Sequence, residues 1–317
     1  MLRIRLSCWP VLLLLTLWSC RKDEEAFQPY PPSAQTLRSL LEQQVPHENT
    51  HKIFTFNTLN ADQVLEMPGG TKVFLIDTDH LFDDASTGED VLCSTCTDLK
   101  IEITEILDKS DIIARGLSTV SKGDSLFESG GMVRVTVTCN GRPLALSPDR
   151  FLKIQIPHNQ PGDDLFVFSE WDNNTQTWIR SEQPVFRAEW PLSGSLQEGY
   201  ELLTPHLGWS ACGKILTEPS SDFCLTLPAG FGEQNTLSHL VFKNQQVVAP
   251  LRFDLSSNTF CFPHVPIGFQ IQLFSVSKLG DQYWMGKGQT ESGTNTMYPM
   301  TTQIMSEQAI LDFVKGL

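Results

Sequence analysis

Positive charge is what this chain has least of. Its 317 residues carry 23 Lys and Arg against 37 Asp and Glu, a formal net charge of −14. A surface this acidic repels phosphate backbones, which argues against nucleic acid as a partner, and it gains no electrostatic hold on anionic lipid. The chain also lacks an internal repeat at a fixed period, which removes solenoids and propellers. It has no low-complexity block, and 40% hydrophobic with 19% charged residues is the composition of a globular protein. Helical periodicity is nearly absent, confined to two short segments. A chain of this length suggests two domains, each able to bury its own core.

What is there begins at the N-terminus. Arg3 and Arg5 precede an apolar run from Leu6 to Leu17, followed by Leu17-Trp18-Ser19-Cys20. A basic start and a short apolar stretch make an export signal, too short for a comfortable membrane-spanning helix. A small residue before a cysteine resembles the bacterial lipobox, in which Cys20 is acylated and becomes the mature N-terminus. Buried methylenes contribute about 0.8 kcal/mol each, so several acyl chains on one cysteine make release negligible. Arg21-Lys22-Asp23-Glu24-Glu25 behind it resembles the surface-export signal of Bacteroidetes-type lipoproteins. The expected address is the outer membrane, lipid-anchored through Cys20 and displayed at the cell surface; retention on the inner leaflet is the alternative.

Of eight cysteines, Cys8 leaves with the signal and Cys20 carries lipid. The remaining six are Cys93, Cys96, Cys139, Cys212, Cys224 and Cys261. An exported protein sits where disulfides persist. Three cysteines in each half hinder complete pairing, so one or more buried free thiols are expected. Phe223-Cys224-Leu225 and Phe260-Cys261-Phe262 each place a cysteine inside an apolar strand. Cys224 and Cys261 bond if those strands face one another across the core; otherwise, and by default, they are two buried thiols acting as small hydrophobes.

Residues 21–50 read as a tether, charged and then Pro-rich, with one short helix over 36–44 (Leu37, Leu40 and Leu41 on one face) ended by Pro46. From Lys52 onward period-two alternation dominates, as in Leu99, Ile101, Ile103 against Lys100, Glu102, Thr104, and in Val133, Val135, Val137 against Arg134, Thr136, Thr138. Turn residues punctuate these runs; Asn140-Gly141 is a hairpin signal, and Asp172-Asn173-Asn174 another turn. Ser306 is the N-cap of a C-terminal helix bearing Ile310, Leu311, Phe313 and Val314. The expected class is all-β: two antiparallel β-sandwich domains behind a lipidated tether, closed by a short helix. The expected boundaries are signal 1–20, tether 21–50, first sandwich 51–160, a β-rich connecting region 161–215, a second, Ig-like sandwich 216–303 and helix 304–317. Pro157 to Gly162 is the expected domain border.

The stretch from Gly69 to Pro157 resembles the β-sandwich domain of ankyrins and netrin receptors, the ZU-five type, in its Bacteroidetes-type lipoprotein form. The carriers are Gly70-Thr71-Lys72-Val73, the run Ile101 to Ile106, Gly116-Leu117-Ser118-Thr119, Leu126 to Met132, Asn140 to Leu144 and Ile154-Gln155-Ile156-Pro157. Gly208-Trp209-Ser210-Ala211-Cys212 and Val265-Pro266-Ile267-Gly268 extend the likeness. The pattern departs at Asp77, where the family has proline. The resemblance implies a fold and a location and brings no catalytic residues. Gly130-Gly131 is expected at the entrance of a strand, and Glu105 as a cap or pairing group.

Several motifs invite chemistry. His47-Glu48-Asn49-Thr50-His51 matches H-E-x-x-H, which makes a zinc metallopeptidase the alternative function, with Glu66 as a third ligand by count. Pro46 and the strand pattern from Lys52 leave no room for the helix that motif needs. Gly208 to Cys212 is a near miss to a serine nucleophile elbow without its strand-turn-helix setting, and reads instead as a core tryptophan. Cys93-Ser94-Thr95-Cys96 lacks both the βαβ setting of redox pairs and the second pair of a zinc ribbon. Asp77, Asp79, Asp83, Asp84, Glu89 and Asp90 form an acidic loop, but Phe82 stands where a calcium loop needs glycine. Phe168-Ser169 and Phe274-Ser275 lack the histidine of autoproteolytic relatives. The expectation is a non-catalytic binding or assembly module with no cofactor and no metal, anchored to the membrane through Cys20 and meeting a protein or glycan at the cell envelope.

Overall fold

Alternating apolar and polar residues become strands because a pleated chain sends successive side chains to opposite faces. The structure, a computed structural model, describes residues 33–45, 50–192 and 195–317, which belong to one compact unit. Helix α1 (Ser33–Gln44) comes first. Then follow β1 (His51–Phe56), β2 (Gln63–Glu66), β3 (Lys72–Leu75), β4 (Phe82–Asp84), β5 (Asp90–Val91), β6 (Leu99–Ile106), α2 (Lys109–Ala114), β7 (Val120–Ser121), β8 (Ser125–Cys139), β9 (Arg142–Leu146) and β10 (Leu152–Pro157). Next are β11 (Phe166–Asp172), β12 (Thr177–Leu192), β13 (Ser195–Thr204) and β14 (Gly208–Ile215). The last third holds β15 (Ser220–Thr226), β16 (Thr236–Phe242), β17 (Val248–Pro250), β18 (Arg252–Asp254), β19 (Thr259–Pro266), β20 (Gln270–Leu279), β21 (Gln282–Glu291), β22 (Met297–Pro299), β23 (Thr302–Met305) and α3 (Glu307–Lys315). The fold is all-β, with short helices.

Strands β1–β14 make a sandwich-like half. One layer runs β1-β6-β8-β14-β11-β12, the other β2-β3-β10-β13-β12. The long β12 serves both: up to Pro184 it pairs with β11, and from Val185 with β13. A strand that changes sheets in this way makes a corner. Between the layers Ile101, Ile103, Val133, Val135 and Val137 meet Val73, Leu75, Ile154 and Leu202. Asn140 and Gly141 both take positive φ, as the two-residue β8–β9 turn demands.

Strands β15–β23 make a second half, with layers β18-β19-β15-β22 and β17-β16-β20-β21-β23. Phe223, Leu225, Phe260 and Phe262 face Leu240, Phe242, Ile271 and Leu273 across its core. The second layer is buried on its other face too: all seven residues of β16 are buried. There Leu237, Val241, Phe274 and Val276 meet the three helices and Phe127, Met132, Phe168 and Trp178 of the first half.

Three boundary expectations are corrected. The segment 21–50 is not a loose tether throughout, because α1 begins at Ser33 and buries Leu37 and Leu41 in this seam, together with Val45 just after its end. Their four-residue spacing is one helical face. No domain border lies at Pro157 to Gly162: β10 pairs with β13 from Leu152↔Thr204 to Pro157↔Gly199, so residues 161–215 complete the first sheets instead of connecting two domains. The change of sheet falls between Ile215 and Ser220. Gly130-Gly131 lies inside β8, where the register to β14 shifts, and not at a strand entrance. A Cβ at Gly131 would stand 2.4 Å from Ile156 Cγ2, which only glycine avoids.

If α1 is integral, Leu37→Ala should cost about 2–5 kcal/mol in urea unfolding. Limited proteolysis of the full chain should leave a resistant fragment starting at or before Ser33. A core starting near Ile53, with Leu37→Ala as stable as the parent, would remove α1 from the fold.

Candidate functional site

The residues singled out by motif scatter. Cys20, His47 and Glu48 lie outside the described residues. His51 opens β1 opposite Thr104, with Nδ1 3.2 Å from Thr104 Oγ1 and Nε2 3.7 Å from Glu102. A histidine in a strand does not share the helical face that H-E-x-x-H requires. Glu66 pairs with Lys72 at 3.4 Å. Among the described residues no group of three or more His, Cys, Asp and Glu is placed to hold a metal.

The other motifs resolve into structure. Ser210 is buried in mid-strand and its hydroxyl donates to Thr204 Oγ1 at 3.0 Å, while His206 turns to Glu170 at 3.6 Å. Trp209, expected in the core, is only half-buried, with Arg134 6.0 Å from its ring centroid; Trp178 fills the core instead and donates to Ser118 O at 2.7 Å. Ser169 and Ser275 sit in plain strands, and the Ser275 hydroxyl pairs with that of Ser238 at 2.7 Å. The acidic loop is internally committed. Asp84 holds Arg142 at 3.0 Å and accepts from Ser86 N at 2.9 Å; Asp77 holds Arg150 at 2.9 Å; Asp90 meets His80 at 3.1 Å; Asp79 accepts from Ser94 N at 3.2 Å. Ser86 and Thr87, with Arg142, keep the Asp84 carboxyl below the usual carboxylate range. Glu105 is 2% exposed and accepts from Gly69 N at 2.6 Å and Thr71 N at 3.3 Å, closing the turn before β3; burial raises its pKa.

The cysteines pair within halves. Cys96 bonds Cys139, pinning the turn at Cys93–Thr95 to the end of β8. Cys224 bonds Cys261 with Cα atoms 4.1 Å apart. These two are directly opposed neighbours on β15 and β19, on the outer, half-buried side, while Phe223 and Phe262 point inward. The strands therefore lie side by side in one sheet and not across the core, and the two cysteines are not free thiols. Cys93 and Cys212 are free and buried. Burial pushes their thiols up to about 11 and about 12, the first helped by Asp79 and Asp90, so neither is a nucleophile at neutral pH.

A feature that motif reading missed is a cleft of about 700 Å³ between the two halves. Its walls are α1, the segment 116–124, the β11–β12 turn, the start of β16 and the step from β17 to β18. Loops hold its shape. Asp172 accepts from Asn174 N at 2.9 Å and from the Thr175 hydroxyl at 2.8 Å. Arg252 of the second half bridges to Asp124 at 2.8 Å and Thr175 O at 3.3 Å in the first. His239 lines the cleft, 7% exposed, its ring 5.1 Å from Phe274 in a stacked pair, its Nδ1 buried and without a hydrogen-bond partner among the described residues. Burial, with Arg38 nearby, pushes this imidazole down to about 3. In sequence His239 is one residue of an apolar strand, Leu237 to Phe242, and carries no signal of a site. Compared with known families, curated proteins and solved structures, the chain finds no match.

Two measurements check this description. A non-reduced digest should contain Cys96–Cys139 and Cys224–Cys261 linked peptides, with Cys93 and Cys212 alkylated only after denaturation; any other pairing would contradict it. His239 stays neutral when folded but protonates near pH 6.5 when unfolded, so stability falls as pH drops from about 6.5 towards 3, by up to about 1.4 kcal/mol per pH unit. The melting temperature of His239→Gln should therefore decline less steeply between pH 6 and 4; an identical slope would place the imidazole in water.

Proposed function

We propose that this chain is a lipid-anchored, non-catalytic binding or assembly module of the bacterial outer membrane, displayed at the cell surface. The observation that carries the reading is the order Arg3, Arg5, an apolar run and Cys20 with a small residue before it. Two disulfides in the folded part support it, because such bonds persist outside the reducing cytoplasm. No described helix is long and apolar enough to cross a membrane, so the lipid on Cys20 is the proposed anchor. The likeness of the first half to the ankyrin and netrin-receptor sandwich belongs to the same reading. So does binding through loops: sandwiches carry recognition on loops held by rigid sheets. The His47-Glu48-His51 peptidase gains no support from a His51 that starts a strand.

Cys20→Ala should abolish incorporation of radiolabelled palmitate and release the protein from the membrane fraction. Unchanged labelling of that variant would refute acylation at Cys20.

A further inference from the structure

The layer β2-β3-β10-β13-β12 of the first half turns Val73, Ile154 and Leu202 into the core. The alternate residues point outward, and on a solvated sheet face they are ordinarily polar. Here many are not. Val64 is 52% exposed, Ile76 52%, Phe151 40% and Phe186 52%, and Phe74 and Leu203 are half-buried. The ladders set these residues side by side: Val64 is paired with Phe74, Phe74 with Lys153, and Lys153 with Leu203. In the next outward row Glu66 is paired with Lys72, Lys72 with Gln155, Gln155 with Glu201, and Glu201 with Phe186. Ile76 and Phe151 follow on from the buried Leu75 and Leu152, where Arg150 holds Asp77 at 2.9 Å. A single exposed apolar residue needs no explanation, whereas a contiguous set on one sheet face marks an interaction surface.

We propose that this face docks on a second copy of the chain, forming a two-fold symmetric dimer. The inference goes beyond the reading above and stands without it, since no residue of the face belongs to the N-terminal segment. Charge selects the occupant. Lys72 holds Glu66 at 3.4 Å, and Lys153 holds Glu201 at 2.8 Å, where Gln155 also donates at 2.9 Å. These charges cancel within the face, whereas a chain of net charge −14 repels its own copy over most of its surface. Hydrocarbon would desolvate the two ion pairs and return no partner, which disfavours a lipid surface. The strand order makes the face self-complementary. β10 is central, so a two-fold axis along it sets β3 of one copy against β13 of the other, and β2 against β12. Phe74 then meets Leu203 of the second copy, and Lys72 meets Glu201 of the second copy. Five strands about 4.8 Å apart and roughly 20 Å long present on the order of 500 Å², or about 1,000 Å² over two copies, which reaches the lower bound of a specific interface.

The test uses the full-length chain, in cells and in density-matched detergent. In cells carrying two versions, Val64→Cys and Phe186→Cys, a short bismaleimide should join the two chains, while either version alone stays unjoined; the buried Cys93 and Cys212 give no background. Sedimentation equilibrium should show a reversible dimer. Val64→Asp and Phe186→Asp, both at exposed positions, should each raise its dissociation constant about tenfold or more without moving the melting temperature. Leu255→Asp, at an apolar residue 83% exposed on the β18–β19 turn of the other half, should leave the dissociation constant unchanged. The proposal is overturned if the paired cysteine versions give no cross-link, if the chain is a monomer at every concentration, or if the dimer survives both face variants. It is overturned too if a monomeric Cys20→Ala chain binds phosphatidylcholine vesicles and Phe186→Asp abolishes that binding, which would assign the face to lipid. Failure here leaves acylation at Cys20 untouched, and failure of palmitate labelling leaves the dimer untouched.

Discussion

One strand, β8, ties the described structure together. Its fifteen residues pair with β6, β7, β9 and β14, and its side chains enter all three apolar clusters. Leu126 belongs to the core of the second half, Phe127 and Met132 to the seam between halves, and Val133, Val135 and Val137 to the core of the first. A straight, regular strand presents only two faces. β8 reaches a third environment because it is bulged at Gly130-Gly131, where β14 shifts register between Cys212 and Gly213. The glycines are required there: a Cβ on Gly130 would stand 2.7 Å from the Tyr200 ring.

The seam explains why the two halves behave as one unit. A sandwich layer usually faces a core on one side and water on the other. Here the layer containing β16 and β20 is covered on both faces, by its own partner sheet and by α1, α2, α3 and the first half. Phe127 stacks on Phe168 at 4.1 Å, and Phe274 meets Phe313 of α3 edge-on at 5.5 Å. Lys109 of α2 donates to Phe242 O at 2.9 Å, and Thr119 and Val248 exchange backbone and side-chain hydrogen bonds across the same boundary. The helices fill the seam between the two halves. The cleft lies where that filling stops: Leu41, Ile113 and Leu237 belong both to the seam and to the cleft wall. Ligand sites favour such junctions because two rigid bodies supply a concave surface that neither has alone.

Much of the architecture was legible in the residues. The alternation in β6 and β8 named the inward valines and isoleucines correctly, Asn140-Gly141 named its turn, and Ser306 named its helix start, where its hydroxyl accepts from Ala309 N at 3.2 Å. The misread parts share one cause. Residues 33–45 look like tether because a short helix with three apolar positions is marginal alone; it persists because Leu37, Leu41 and Val45 find a seam made by strands two hundred residues away. Pro157 to Gly162 looks like a border because turn residues cluster there, yet the sheet continues past it through pairing with β13. The Cys224–Cys261 bond depended on register, which the spacing of two strands does not specify.

The sequence by itself determined the strand periodicity, the turns, the acidic surface and the apolar N-terminal run ending at Cys20, because each is a property of neighbouring residues. Only the tertiary structure decided which sheets share a core, which cysteines bond and where a cleft opens. Those are properties of distant segments: Arg38, Asn173, Thr236 and His239 reach one cavity through a helix, a hairpin turn and a doubly buried strand. No local pattern relates them, since what brings them together is burial of apolar faces elsewhere in the chain.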